Sequence, residues 1–504
     1  MVSTALSPAE ALPGEAGLSL ERTFRRFDVT FFAVCTVIGL DTIGAVASDG
    51  GQAFTWMLFL AAVFFLPYAL LTAELGAAFP VEGGPYVWIR LAFGRIVGAV
   101  ASVFYWISNP IWLGGTLAVT SMAAIGQLIT PLSGAGQYIF GLLFIWVSTA
   151  GVIVSARYGK WLPTLGAFLR ATLLSFFTLT VIIYAAEHGV HGLGGSSFSP
   201  TWAVFIAAVP VLAFNYVGLE VPSAASGEIR DPQRAIPFAV ARSGAMVVLL
   251  YGIPILAIIL LLPARQITNL SGFLDAIKLV LTIYGGHVAA GGAVTLTGAG
   301  KVIGVLVTIG FVLALMFGAV AWLMGADRAQ AIAARDGAAP AWMGRFSERF
   351  GTPIAVNLMS GAMATVFLVL ALTLTSGNAA KYFSAVLGLV ISTTLISYVA
   401  ICPAVIRLRY THGDARRPYR LPFGNAGAWI CGLLGTLWSL LATVVLLWPG
   451  LGTADPGASL PSGFAGQRLQ YELTQLVPVA LLLALGLLFG AVGSRRIARS
   501  AAGP

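Results

Sequence analysis

The sequence is poor in charge. Asp, Glu, Lys and Arg together make up 9% of its 504 residues, whereas a soluble domain carries about 25%. Hydrophobic residues make up 58% of the chain, and the mean hydropathy is +0.91. This composition excludes an ordinary soluble domain and predicts an integral membrane protein. The net charge of +9 is then better explained by basic residues gathered on one side of a membrane than by a nucleic-acid partner.

Residues with catalytic or metal-binding chemistry are also scarce. The three cysteines, Cys35, Cys402 and Cys431, fall in apolar stretches with no disulfide or metal-ligand spacing. We find no phosphate-binding loop, no HExxH motif and no nucleophile–base pair. The sequence therefore predicts no metal, no cofactor and no enzymatic activity.

Long apolar segments dominate what is present. A membrane-spanning helix needs about 20 largely apolar residues, and an all-α membrane protein follows from repeated segments of this kind. The sequence predicts twelve spans, at residues 28–48, 53–78, 96–127, 136–156, 160–186, 202–224, 236–263, 301–326, 352–375, 380–407, 424–449 and 473–494.

Basic residues predict the orientation of these spans. Of the 28 lysines and arginines, 22 fall on the side of the N-terminus, five on the other side, and Arg170 inside the fifth span. Because basic loops stay in the cytoplasm, both termini are predicted to be cytoplasmic. Residues 1–27 are expected to be a disordered cytoplasmic tail, and 495–504 a second tail. The external loop 264–300 contains "SGFLDAIKLVL", which predicts a short amphipathic helix.

Two spans contain helix breakers near their middle. The first includes "VIGLDTIG" (37–44) and the sixth includes "AFNYVGLEVP" (213–222). They lie five spans apart, which places them at corresponding positions in two halves, as in transporters built from inverted repeats. Unpaired backbone groups are tolerated in a membrane only where they line a cavity or meet a ligand. The breaks therefore predict a site for a zwitterionic amino acid, since helix N-termini favour a carboxylate and free carbonyls favour an ammonium. The alternative is that the glycines merely permit close helix packing.

Several stretches resemble the amino acid–polyamine–organocation (APC) superfamily. They are "AELGAAFPVEGGPYVWIRLAFG" (73–94), "FNYVGLEVPSAASGEIRDPQRAIPFAV" (214–240) and "ARDGAAPAWMGRFSERFGTP" (334–353). The resemblance implies the five-plus-five inverted repeat of LeuT-like transporters, with two additional helices. Residues 28–407 would form the transport core of helices one to ten, and residues 408–494 helices eleven and twelve.

The resemblance also implies a substrate site at mid-membrane with alternating access. Substrate-binding positions carried over from the family are Ile38, Gly39, Leu40, Asp41, Thr42, Phe214, Asn215, Tyr216 and Gly218. Phe214 stands where relatives often place a gating aromatic residue. Trp322 has the spacing of a site-lining tryptophan in the arginine–agmatine antiporter branch; its alternative role is an interfacial belt residue.

Three ionisable residues are predicted to lie deep in the membrane: Asp41, Arg170 and Glu220. Charged groups at this depth are costly and are candidates for function. Relatives that do not use sodium carry a lysine near the position of Arg170, in the region of the sodium site of sodium-coupled relatives. An arginine does not lose its proton. Arg170 would therefore be a fixed cation, which argues against sodium coupling and against proton carriage by this residue.

The partners of these charges leave two questions open. Asp41 either pairs with Arg170 beside the cavity or contacts a cationic substrate. Glu220 is either a structural carboxylate or a proton-linked gate, in which case a proton is an additional partner.

The sequence thus predicts a secondary transporter of amino acids or related amines in the cytoplasmic membrane, acting by antiport or proton coupling. The alternatives are a polyamine or monoamine permease in which Asp41 binds the amine, and a membrane sensor that does not transport.

Overall fold

The protein is described by a computed structural model that covers residues 21–158, 161–190, 198–261, 272–289, 291–374, 379–461 and 463–501. These residues form helices and one small antiparallel hairpin. The helices and strands are α1 Arg26–Val37, α2 Ile43–Ser48, α3 Gly50–Ala78, α4 Gly84–Phe93, α5 Arg95–Leu128, α6 Ala135–Tyr158, α7 Trp161–His188, α8 Trp202–Phe214, α9 Pro232–Leu261, α10 Gly272–Val280, β1 Gly286–Val288, β2 Val294–Leu296, α11 Gly298–Arg335, α12 Ile354–Leu374, α13 Ala379–Thr411, α14 Gly424–Leu447 and α15 Arg468–Ala501.

Ten helices in the described part of the chain are long and apolar enough to cross a membrane. Each overlaps one of the twelve predicted spans. The two predicted spans without a continuous helix are the first and the sixth. The first is divided into α1 and α2, and the sixth into α8 and a 3₁₀ segment, Val221–Glu228. The positions of the helix breakers in the sequence therefore coincide with real interruptions.

Two of the long helices contain a π-helical turn, at Ala61–Phe65 in α3 and at Leu113–Leu117 in α5. Each turn lies beside a proline, Pro67 or Pro110, which lacks the N–H of the regular helical ladder. Such turns are frequent at functional sites. The turn in α5 directly follows Trp112, which contributes to the site described below.

The long helices differ in how much of their surface is covered by protein. In the most apolar 18 residues of α5 and α13, 83% and 78% of residues are buried, but the corresponding value for α15 is only 17%. α5 and α13 are therefore central, and α15 lies at the periphery. α1 packs against α7 and α9, while α11 packs against α5 and α7, so the interrupted first span lies inside the bundle.

The predicted tails are shorter in the structure. Phe24 is 1% exposed, and its backbone exchanges hydrogen bonds with the segment after the sixth span, Phe24 N to Glu228 O at 2.9 Å and Arg230 N to Phe24 O at 3.0 Å. The prediction of disorder up to residue 27 is therefore wrong around Phe24, because its ring is buried and its backbone is hydrogen-bonded to the rest of the protein. At the other end, α15 continues through Ala501.

The loop between the seventh and eighth spans contains the predicted amphipathic helix, seen as α10. The β1–β2 hairpin that follows it was not predicted. Some predicted features lie outside the described residues: tail residues 1–20 and 502–504, and two of the basic residues used for the orientation, Lys160 and Arg265.

Candidate functional site

The interruption in the first span covers residues 38–42, between α1 and α2. Tyr251 of α9 bridges it: its hydroxyl accepts a hydrogen bond from Gly39 N at 2.5 Å and donates to Val37 O at 3.0 Å. Thr42 Oγ1 donates to Gly39 O at 3.0 Å. Backbone groups that a continuous helix would pair internally are thus partly satisfied by side chains, as an interruption inside a membrane requires.

The interruption in the sixth span covers residues 215–220, and Gly218 is its turning point. Its φ of +117° is a conformation that side-chain-bearing residues rarely adopt. Gly218 O accepts a hydrogen bond from Thr36 Oγ1 at 2.8 Å. Trp322 of α11 donates its indole N–H to Thr36 O at 2.6 Å. The last turn of α1 therefore contacts the second interruption directly.

A small cavity lies where the interruptions meet. Its lining residues come from α1, α5, α8, α9, α11 and the two breaks: Thr36, Val37, Gly39, Thr42, Trp112, Phe214, Asn215, Val217, Tyr251 and Trp322. Five of the predicted substrate-binding residues are among them, namely Gly39, Thr42, Phe214, Asn215 and Trp322.

The other predicted substrate-binding residues are close to the breaks but do not line this cavity. Leu40 is buried in the core. Tyr216 points away and donates to Met57 O at 3.0 Å. Trp322 is 6% exposed, and its ring packs against those of Tyr105 and Trp112. This placement contradicts the alternative of an interfacial belt residue for Trp322.

Arg170 is buried in α7 and reaches the first break from the side. Nε donates to Ile38 O at 2.7 Å, and Nη1 donates to Gly166 O at 3.1 Å and to Cys35 Sγ at 3.4 Å. The guanidinium is thus held by backbone oxygens. One of them, Ile38 O, is exposed by the interruption.

Asp41 does not pair with Arg170. Within the described residues the two side chains form no ion pair, and Asp41 Oδ2 instead accepts the indole N–H of Trp112 at 2.7 Å. The predicted Asp41–Arg170 pair is therefore wrong for this structure. The physical reason is that the break itself offers Arg170 an unpaired carbonyl, which a chain of continuous helices would not offer.

Glu220 lies at the centre of a buried cluster of tyrosines. Tyr105 and Tyr398 donate their hydroxyl hydrogens to Oε1 at 2.8 and 2.6 Å, and Tyr68 donates to Oε2. Gly218 N also donates to Oε2, at 3.2 Å. The carboxylate thus connects the sixth break to α3, α5 and α13.

Clusters of buried or partly buried ion pairs lie at the end of the bundle that carries Phe24. Arg328 of α11 contacts both Glu82 and Glu228, and all three side chains are at most 3% exposed. Glu74 pairs with Arg409 and Arg417. Asp336 pairs with Arg90 at 3.0 Å and Arg95 at 3.4 Å. The Arg328 cluster fastens the loop after α3 to the segment that follows the sixth break.

Sequence reasoning did not identify Tyr68, Tyr105, Trp112, Tyr251 and Tyr398. Each is a polar aromatic residue in the middle of a predicted span, and a buried Tyr or Trp usually finds a hydrogen-bond partner. A polar aromatic residue inside a span therefore indicates a buried hydrogen bond, but it does not reveal which residue is the partner.

The sequence of this chain is similar to those of known transporters. The sequence profile described as "Amino acid permease" matches residues 24–462. An uncharacterized transporter of Legionella pneumophila is 28% identical over 83% of this chain and 88% of its own length. A probable agmatine/putrescine antiporter of Lactococcus lactis is 26% identical over 79% and 82% of the two chains, and the methylthioribose transporter of Bacillus subtilis is 24% identical over 82% and 87%.

Solved structures include a similar fold. The crystal structure of the Eremococcus coleocola manganese transporter, in complex with an aromatic bis-isothiourea compound, has a TM-score of 0.53. It covers 96% of this chain and 99% of its own, at 12% identity. The similarity concerns the fold alone. Because the permease profile spans most of the sequence, this chain belongs to the amino acid permease family of the APC superfamily and is a multi-pass membrane transporter, not an enzyme.

Proposed function

We propose that the protein is a secondary transporter of amino acids or related amines that works by alternating access without sodium. The observation that supports this most directly is the contact between the end of α1 and the sixth break, where Thr36 donates to Gly218 O beside a cavity with an aromatic lining. A site formed by two interrupted helices changes its access when either half-helix moves.

The proposed architecture has twelve spans. α1 with α2, and α8 with Val221–Glu228, act as interrupted spans one and six beside the ten continuous helices. Residues 28–407 form the inverted-repeat core, and 408–494 the last two spans. Both termini face the cytoplasm, and the protein lies in the cytoplasmic membrane. The basic clusters near Arg90, Arg328 and Arg409 lie at the end of the bundle where Phe24 packs, which supports this orientation.

The proposed substrate site combines both breaks. Gly39, Thr42, Phe214, Asn215 and Trp322 line the cavity and contact substrate. Ile38, Leu40, Asp41, Tyr216 and Gly218 complete the site as its immediate surroundings. Phe214 and Trp322 supply aromatic faces that suit an amine cation.

Arg170 takes the place of a coupling sodium ion in this proposal. Its guanidinium donates to Ile38 O, a carbonyl of the kind that binds Na⁺ at an interrupted helix. A permanent charge at this position removes the need for a metal ion to neutralise the break. It also makes Arg170 unsuited to proton carriage, because an arginine keeps its proton.

Glu220 acts as the gating residue in this proposal. Movement of the sixth span would break its hydrogen bonds with Tyr68, Tyr105 and Tyr398, and protonation of the carboxylate would weaken them. A coupling proton would act through this residue. If Glu220 has only a structural role, the transport mode is exchange without a coupled proton.

The names of two relatives agree with a broad range of substrates. The Lactococcus lactis relative is named for agmatine and putrescine, and the Bacillus subtilis relative for methylthioribose. None of these three compounds is a standard amino acid. The substrate class proposed for this chain therefore includes amines.

Counterflow in proteoliposomes tests the proposal. Vesicles loaded with unlabelled amino acids or amines should accumulate the labelled compound, equally in sodium and potassium buffers. Absence of exchange for every compound, with vesicles shown to contain correctly folded protein, would contradict transport and favour a sensor.

A further inference from the structure

Resting on the proposed transport function, we propose that Asp41 selects the substrate class: the preferred substrates are small organic cations that lack a carboxylate group. The protein itself supplies the anion at the binding site. A zwitterionic amino acid would bring a second anion to the same place.

Asp41 lies at the edge of the cavity. Its Oδ2 accepts the N–H of Trp112, a lining residue. Its Oδ1 lies over Gly39, 3.0 Å from the position that a Cβ would take there, next to Thr42 Oγ1 and the Tyr251 hydroxyl. Gly39, Thr42 and Tyr251 also line the cavity. The carboxylate is therefore on the cavity side of the first break.

Asp41 Oδ1 has no hydrogen-bond donor among the described residues, although Asp41 is only 2% exposed. Buried polar atoms are nearly always paired, and an unpaired buried carboxylate is especially unfavourable. The nearby cation does not meet this need, because Arg170 donates to Ile38 O, Gly166 O and Cys35 Sγ. A cationic ligand would provide the missing donor and place a positive charge directly against the carboxylate.

The side chains that line the rest of the cavity suit a cation. Trp112, Phe214, Tyr251 and Trp322 present aromatic rings, and no residue in its lining is basic. Aromatic faces attract ammonium and guanidinium groups. Asn215 also lines the cavity, is 2% exposed, and has both amide atoms unpaired within the described residues. Its Oδ1 can accept from the same cation, and its Nδ2 can donate to a second polar group.

A substrate carboxylate fits this site poorly. It would lie near Asp41 in a buried environment where like charges repel strongly. The lining supplies no basic side chain to neutralise it. The arrangement thus discriminates by charge, through attraction of the amine and repulsion of the acid.

Matched pairs that differ only in the α-carboxylate test the inference: putrescine and ornithine, agmatine and arginine, tyramine and tyrosine. Binding to the purified wild-type protein is measured by calorimetry, and exchange by counterflow. For each pair in which binding is detected, we expect the amine to bind about 10- to 100-fold more tightly than the corresponding amino acid. Equal or tighter binding of the amino acids would overturn the inference.

The Asp41→Asn variant keeps an oxygen acceptor for Trp112 and removes the charge. It should reduce amine affinity and bring the amine-to-amino-acid ratio close to one. The control is Asp414→Asn, which changes an exposed carboxylate and should leave the ratio unchanged. If Asp41 has only a structural role, Asp41→Asn should lower stability, while the protein that remains folded keeps the wild-type ratio of amine to amino-acid affinity. This result would also overturn the inference.

The two proposals fail in different ways. The wild-type binding panel decides the inference even if the Asp41 variant is unstable. Exchange that prefers zwitterions leaves the transport proposal standing and rejects the role of Asp41. Amine binding without exchange of any compound supports the role of Asp41 and rejects transport.

Discussion

Arg170 Nε donates a hydrogen bond to Ile38 O over 2.7 Å, and so joins α7 to the interruption of the first span. Both residues are buried. A charged donor on a backbone oxygen is worth about 1.5–3 kcal/mol. This contact accounts for how the buried guanidinium is satisfied without a carboxylate partner.

From this contact we predict that wild-type exchange is the same in sodium and potassium, and that Arg170→Met lowers both thermal stability and exchange. The expected loss of stability is about 1.5–3 kcal/mol, measured by thermal unfolding in detergent. Arg170→Lys should retain more activity than Arg170→Met because it keeps a cation. Sodium stimulation of the wild-type protein would contradict the role of Arg170.

Gly218 permits the sixth break, and alanine should not replace it. A Cβ there would lie 2.9 Å from Trp322 Cζ2 and 3.2 Å from Thr36 C and O, at a φ of +117°. The backbone strain alone is of order 1–3 kcal/mol. Gly218→Ala should therefore lose most counterflow activity. The matched control is Gly136→Ala, because that glycine is helical and has open space around it; it should unfold at the same or a slightly higher temperature.

Glu220 should be sensitive to an isosteric change. In Glu220→Gln one acceptor oxygen becomes an NH₂ group, which faces hydrogen donors from the tyrosines or from Gly218. We expect a loss of about 1–3 kcal/mol in thermal stability, and exchange that no longer varies with pH. Tyr410→Phe, at an exposed tyrosine, serves as the control. If Glu220→Gln keeps the wild-type pH profile of exchange, the carboxylate has a structural role only.

Arg328 should stabilise the bundle at the end where Phe24 packs. Arg328→Gln would leave Glu82 and Glu228 buried without their cation, at a cost of about 3–5 kcal/mol. Replacing all three residues by glutamine should restore part of the stability. Arg234→Gln is the comparison: this arginine is 86% exposed and 3.8 Å from Asp231, and its pair is worth about 0–1 kcal/mol. Similar unfolding temperatures for Arg328→Gln and Arg234→Gln would reject the prediction.

The same cluster predicts a pH effect on stability. Burial raises the pKa of the Glu82 carboxyl, and the nearby Arg328 guanidinium opposes this shift only in part. The folded protein therefore binds this proton more tightly than the unfolded chain. Its contribution to stability is complete below the ordinary Glu pKa and is lost as pH rises through the raised value.

Thermal unfolding between pH 5 and 9, compared for wild type and Glu82→Gln, measures this effect. The wild type should lose stability with rising pH relative to the variant, because glutamine has no titratable group at that position. A constant difference between the two proteins across this range would exclude Glu82 as the titrating group.

Much of the helix layout could be predicted from the sequence. The ten continuous spans and both interruptions appear where hydropathy and helix breakers indicated, because each depends on residues close together in the chain. Half of the predicted substrate-binding residues line the cavity. The Asp41–Arg170 pair was wrong because opposite charge and proximity of helices do not determine which acceptor a guanidinium reaches.

The sequence by itself determined that the chain is a membrane protein, where its helices run and break, and that Asp41, Arg170 and Glu220 fall within predicted spans. Only the tertiary structure decided their partners: Trp112 for Asp41, Ile38 O for Arg170, and three tyrosines for Glu220. The reason is physical. A membrane span follows from the local cost of placing residues in lipid. A buried hydrogen bond depends instead on side-chain directions and on backbone groups that a distant helix break leaves unpaired. A local sequence pattern encodes neither the directions nor the distant break.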